Sequence, residues 1–118
     1  MAKFTFGNFK AGVDATDLAF MERFEQKTLQ LDEDVKQLPA EGASSVYIRS
    51  MHALYTAYFD ALFGEGAAQK MFGGRVNLRL CDDAMFALAD AIRADQAAYN
   101  NEARARLAAR SGKAKKKK

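Results

Sequence analysis

The residues that could carry chemistry are few and poorly placed to cooperate. His52 is the only histidine and Cys81 the only cysteine in the 118-residue chain. Zinc and other transition metals draw on several such ligands at fixed spacing. His52 has no such neighbour, so neither a metal nor any other cofactor is expected, and His52 reads as a satisfied or surface side chain among aromatics. Cys81 falls on the apolar stripe of a helix, where a free thiol packs as a small hydrophobe. No serine has a base and an orienting group beside it. The triplet Gly64-Glu65-Gly66 with Lys70 has the composition of a phosphate loop. However, such a loop follows a strand and reads G-x-x-x-x-G-K-[ST], whereas here the glycines follow a helix and Met71 takes the hydroxyl position. Asp32-Glu33-Asp34 lacks the alternating ligands and central glycine of a calcium loop and reads as a solvated acidic face. No catalytic constellation remains, so the chain is expected not to be an enzyme.

One charged feature stands apart. Residues 104–118 hold eight of the eighteen basic residues and no acid, leaving residues 1–103 with a net charge of −5. Arg104, Arg106 and Arg110, followed by Lys113 and Lys115 to Lys118, could hold nucleic acid by counterion release. No aromatic residue is interleaved to stack bases, so nucleic acid is not the favoured partner. The pI of about 9.1 belongs to this tail rather than to the body.

Length and composition set the frame for these residues. The chain is one domain in size, with 49% apolar and 28% charged residues and a single proline. No apolar run approaches the ~20 residues of a membrane span. The first residues lack the apolar stretch of a signal peptide, and a lone cysteine fits a reducing compartment.

The expected fold is mainly α (α+β). A short N-terminal β-hairpin packs on three main helices and a short helical turn, with a polar C-terminal helical extension. Phe4 and Phe6, Gly7-Asn8, then Phe9 and Val13 give two short strands around a turn. A helix from near Asp14 or Thr16 carries Leu18, Met21, Phe24, Leu31, Val35 and Leu38 as its stripe, with Thr28 in the gap, and Pro39 stops it. A second helix begins around Ala43 to Ser45, with a serine as cap. It shows a broad face of Val46, Met51, Leu54, Tyr55, Tyr58, Phe59, Leu62 and Phe63, and Gly64 ends it. Ala67 to Phe72 is a short turn whose Met71 and Phe72 plug the core, closed by Gly73-Gly74. Asn77 caps a third helix with Leu78, Cys81, Met85, Leu88 and Ile92 facing inward. The expected division is a globular domain over 1–95, an exposed helical extension over 96–112 ended by Ser111-Gly112, and a disordered basic tail over 113–118. Tyr47, Tyr55 and Phe86 fall off the main stripes and are the candidate exposed apolar residues for a partner helix.

The string from Tyr58 to Cys81, YFDALFGEGAAQKMFGGRVNLRLC, resembles a family of small proteins from tail-gene clusters of long-tailed phages and prophages. That family's pattern reads F-F-D-x-x-F-G-E-G-x-x-x-K-x-F-G-G-x-x-N-L. Phe59, Asp60, Phe63, Gly64, Glu65, Gly66, Lys70, Phe72, Gly73, Gly74, Asn77 and Leu78 stand at the matching places. Tyr58 replaces the first aromatic, and the basic tail lies outside the pattern. The resemblance covers about two dozen residues closely and the layout of roughly 1–95.

The resemblance implies a tail assembly chaperone. Such a protein binds the tape-measure protein transiently in the host cytoplasm, assists recruitment of tail-tube subunits such as the major tail protein, and is absent from the finished particle. It implies no catalytic residue. The motif residues read as fold determinants rather than as a site. A structural tail component, such as a completion or connector protein, is the alternative, with a basic-tailed nucleic-acid-binding module less favoured. Self-association is left open. The family's frameshifted long forms make the codons of Lys115 to Lys118 a candidate slippery site.

Overall fold

The computed structural model describes residues 1–116. Its element order is β1 (Ala2–Phe6), β2 (Phe9–Val13), α1 (Leu18–Lys36), α2 (Ser44–Phe63), α3 (Ala67–Phe72) and α4 (Leu78–Lys116). The fold is mainly α, with a two-stranded hairpin packed against four helices.

The hairpin pairs antiparallel with Phe6 opposite Phe9 and Ala2 opposite Val13. Strand alternation puts Phe4, Phe6, Phe9 and Val13 on the inner face and Lys3, Thr5 and Lys10 outside. A lone hairpin is marginal in water, and this one is held by its aromatic face. The Phe4 ring lies 5.4 Å from that of Phe63 and 6.5 Å from that of Phe59, both near parallel. Phe6 meets Phe72 edge-on at 6.0 Å. The turn itself docks on the end of α3, where the Asn8 N–H donates to the Lys70 carbonyl at 3.0 Å. That carbonyl is among those the last turn of a helix leaves unpaired. The approach requires Gly7: its φ is +56°, and a Cβ there would sit 2.3 Å from the Met71 carbonyl oxygen.

Helix α1 starts later than Asp14 or Thr16. Asp17 is its cap, accepting from the Phe20 N–H at 2.9 Å. Asp14 instead closes a local turn by accepting from the Thr16 N–H. Leu18 is consequently first in the helix and 72% exposed, and Phe20 takes its place against the core. Thr28 accounts for the gap in the stripe: its hydroxyl donates to the Phe24 carbonyl and lies 2.9 Å from the Tyr58 hydroxyl, so two polar groups satisfy each other within the packing. The helix ends at Lys36, three residues before Pro39.

Helix α2 is capped by Ala43, with no side-chain bond, rather than by a serine. Ser44 is already the first helical residue, one position too late to cap. Val46, in the first turn, is exposed because the core lies further along the helix. Tyr58, Phe59 and Leu62 are buried.

Helix α4 is a continuous 39-residue helix, about 58 Å at 1.5 Å per residue. It passes through Ser111 and Gly112 without a break, so the helix end expected there is not found. Lys113 to Lys116, expected to be disordered, are helical. Lys117 and Lys118 lie outside the described residues. The first half of α4 buries Cys81, Ala84, Leu88 and Ile92. Beyond Asp95 it stands clear of the body as an arm, and the molecule measures 74 × 28 × 21 Å.

Candidate functional site

The twelve motif residues are distributed through the fold, most of them in packing, capping or chain-reversal positions. Phe59 is fully buried, with ring contacts to Phe4, Tyr58 and Phe72. Phe63 gathers Phe4, Phe9 and Phe20 around it. Asp60 ties two helices together. Its carbonyl accepts from the Gly64 N–H at 2.8 Å, ending α2, and its carboxylate accepts from the Ala68 N–H at 2.9 Å, filling the role of a cap for α3. Gly64 and Gly66 flank the corner with φ of +106° and +92°, and Gly73 ends α3 with φ +59°. Gly64 has ψ 157°, an extended form of the positive-φ backbone rather than the left-handed helical form common at helix ends. Asn77 accepts from the Leu80 N–H at 3.2 Å at the start of α4. Leu78 is half-buried, Gly74 is exposed, and the side chains of Glu65 and Lys70 point to solvent. No phosphate-loop geometry results: the glycines bound a six-residue helix.

The concave feature that could take a partner lies elsewhere. A groove of about 580 Å³ runs between α1, α2 and α4, lined by Leu31, Val35, Met51, Tyr55, Met85 and Phe86, with Asp32, Lys36 and Asp82 at its edges. Helical periodicity builds it. Leu31 and Val35 are one turn apart on α1, Met51 and Tyr55 one turn apart on α2, and Met85 and Phe86 adjoin on α4. Phe86 is 68% exposed at the rim. Tyr55 is half-buried rather than exposed; its hydroxyl donates to Asp82 Oδ1 at 3.2 Å, bridging α2 to α4. Burial, reinforced by Asp82, pushes that hydroxyl up to about 12.

Of the candidate partner-binding residues, the groove therefore unites Tyr55 and Phe86. Tyr47 lies apart, in a shallow depression with Pro39, Gly42 and Ile48. Arg104, Arg106 and Arg110 are exposed on the arm of α4. Sequence reasoning missed the contributions of α1 and of Met51 and Met85, which read only as core stripe.

It also missed Asp95, the one charged residue buried among the described residues. Its carboxylate accepts from the Ala15 N–H at 2.7 Å and pairs with the Met1 ammonium at 2.9 Å. These bonds hold Asp95 below its ordinary value and raise the Met1 ammonium above 8.0. The signal was present in its phase, three residues after Ile92 on the inward stripe of α4.

Neither thiol nor imidazole is arranged for catalysis. Cys81 is fully buried, which pushes its thiol up to about 11. His52 is half-buried with its ring 5.5 Å from that of Phe72. Its Nε2 is buried without a hydrogen-bond partner, so His52 is neither the satisfied nor the surface side chain expected. Among the described residues, no group of three His, Cys, Asp or Glu side chains is placed to hold a metal ion. No helix among them is long and apolar enough to cross a membrane.

Comparison with known proteins finds no match among curated proteins or solved structures. One family model matches residues 7–118, from the hairpin turn through the arm, and is described as a family of unknown function, DUF6673. The chain belongs to the DUF6673 family.

Proposed function

We propose that the protein is a non-catalytic helix-binding protein and that it acts as a phage tail assembly chaperone, engaging a tape-measure protein transiently in the host cytoplasm. The observation that carries this reading is the open groove between α1, α2 and α4. An amphipathic helix binds by laying its apolar face into such a groove. Here Leu31, Val35, Met51 and Met85 offer an apolar floor, Phe86 an exposed aromatic anchor, and Asp32 and Asp82 polar edges. The resemblance of Tyr58 to Cys81 to the tail-cluster family supplies the class of partner. A tape-measure protein is long and helical, and its apolar stripes need cover until the tail tube encloses them.

The test is co-expression with the tape-measure protein of the same gene cluster. The chaperone reading expects increased solubility of that protein and its co-purification with this chain. Phe86→Glu, an exposed site that should leave folding intact, should weaken capture by tenfold or more, as loss of an interfacial aromatic anchor does. Leu29→Glu, exposed on α1 outside the groove, should not. Unchanged solubility with no co-purification would overturn the proposal.

A further inference from the structure

The outer face of α4 carries a pattern that the groove shares only at Phe86. Phe86, Asp90, Arg93, Ala97, Asn100, Arg104 and Leu107 recur at alternating spacings of four and three, which places them on one strip of a helix. All seven are exposed. Two are large apolar residues, Phe86 at 68% and Leu107 at 59% exposure. The strip is self-complementary about its centre. When it is set against a second copy running the other way with Ala97 facing Ala97, Arg93 meets Asn100, Asp90 meets Arg104 and Phe86 meets Leu107. Each pairing then occurs twice. From the geometry we infer that two copies of this chain pair antiparallel along α4, each arm lying over the other's Phe86.

Three further observations fit this occupant. First, charge is divided along the helix. Residues 78–95 of α4 carry three exposed acids, Asp82, Asp83 and Asp90, and two arginines, with Asp95 buried against the Met1 ammonium, whereas residues 96–116 carry one acid and six basic residues. Antiparallel pairing sets each half against its complement, and parallel pairing sets like against like. Second, the lengths agree. The 18 residues of α4 packed on the body span about 27 Å and the 21 of the arm about 32 Å. Two bodies therefore sit at opposite ends without collision, and each arm covers one body. Third, an arm cannot fold back on its own body, because Phe86 and Leu107 are about 32 Å apart on one unbroken helix. A contact between Phe86 and Leu107 is therefore open only to a second molecule. The resulting dimer is isologous and closed, with no free end to propagate.

The pairing uses the outer face of α4 and shares only Phe86 with the groove, so the Asp90 and Arg104 variants separate it from what the groove binds. Sedimentation equilibrium of the full chain at low and high salt tests it. A concentration-dependent dimer that weakens with salt is expected. Asp90→Arg and Arg104→Asp should each raise the dissociation constant about tenfold, since each touches both symmetric pairs. The double variant, carrying both changes in one chain, should restore the dimer. Mixing Phe86→Cys with Leu107→Cys protein should give the mixed disulfide, while the buried Cys81 stays out of reach. A chain that stays monomeric, a dimer indifferent to both reversals, or crosslinks dominated by 86–86 or 107–107 would overturn the inference. So would an arm that retards nucleic acid in a chain that never dimerises. If Asp90→Arg is monomeric yet still captures tape-measure protein, dimer and groove are separate properties. If dimerisation fails while Phe86→Glu still abolishes capture, the chaperone reading survives alone.

Discussion

Gly7 and Gly73 share a positive φ but not a neighbourhood, and the pair isolates what close approach is worth. Their φ angles are +56° and +59°. A Cβ at Gly73 meets nothing within 4 Å, whereas one at Gly7 falls 2.3 Å from the Met71 carbonyl oxygen and 3.0 Å from its carbon. Gly73→Ala should therefore cost only the left-handed penalty, about 1–2 kcal/mol. Gly7→Ala carries the same penalty plus the displacement of the turn from α3. The obstructing atoms are helix backbone and cannot swing aside, so the Asn8 N–H to Lys70 bond breaks. Losing that bond between exposed residues costs roughly 0.5–1.5 kcal/mol, and the Phe6–Phe72 contact that loosens with it is worth about 0.5–1.5 kcal/mol more. The gain from restricting the unfolded chain, about 0.4–1 kcal/mol, is common to both variants and cancels in the difference. Gly7→Ala should thus fall below Gly73→Ala by about 2 kcal/mol. For a domain of this size that is roughly 8 °C in melting temperature. Urea unfolding followed by circular dichroism measures both. Equal midpoints for the two variants would refute the docking argument.

Two further outcomes follow from single side chains. Asp60→Ala removes the carboxylate that receives the Ala68 N–H and should cost about 1 kcal/mol in urea denaturation, with Asp60→Asn retaining most of the stability. The Met1–Asp95 pair should shape stability against pH. The ammonium is raised above 8.0, so its contribution is complete below that pH and is lost as pH rises through the raised value. Asp95 is lowered from 3.8, so its contribution is complete above that pH and is lost as pH falls through the lowered value. A stability plateau between about pH 4 and pH 8 is expected from this pair, and urea midpoints of Asp95→Asn should show weaker falls at both ends.

Much of the fold was legible because its signals are local. Alternation in Phe4, Phe6, Phe9 and Val13 gave the hairpin, and helical spacing gave the cores of all three long helices. Glycines marked the corners. What escaped was set by partners distant in sequence or by one-residue offsets. Asp60 caps a helix eight residues later, Asp95 answers Ala15 across eighty residues, and a cap one position earlier left Ser44 inside α2. The C-terminal end of α4 was misplaced because Ser111-Gly112 reads as punctuation, yet the surrounding Ala, Arg and Lys are strong helix formers. The candidate site was half legible. Phe86 and Tyr55 stood out by falling off the stripes, but Met51, Met85, Leu31 and Val35 fall on them, and only the relative placement of the helices shows that those stripes are left partly uncovered.

The bonds of Asp95 to Ala15 and Met1 have a consequence during synthesis. They join residues eighty or more apart. At about 5–20 residues per second, roughly 4–16 s pass between translation of Ala15 and translation of Asp95. For the first part of that interval the hairpin also lacks Phe59, Phe63 and Phe72, the rings on which Phe4, Phe6 and Phe9 pack, and a lone hairpin does not hold. Those aromatics gain cover once α2 and α3 have been made, whereas Met1 and the Ala15 N–H wait for Asp95. The stage most open to misassembly is thus the wait of the hairpin for α2 and α3, and the Asp95 tie is the contact that closes afterwards.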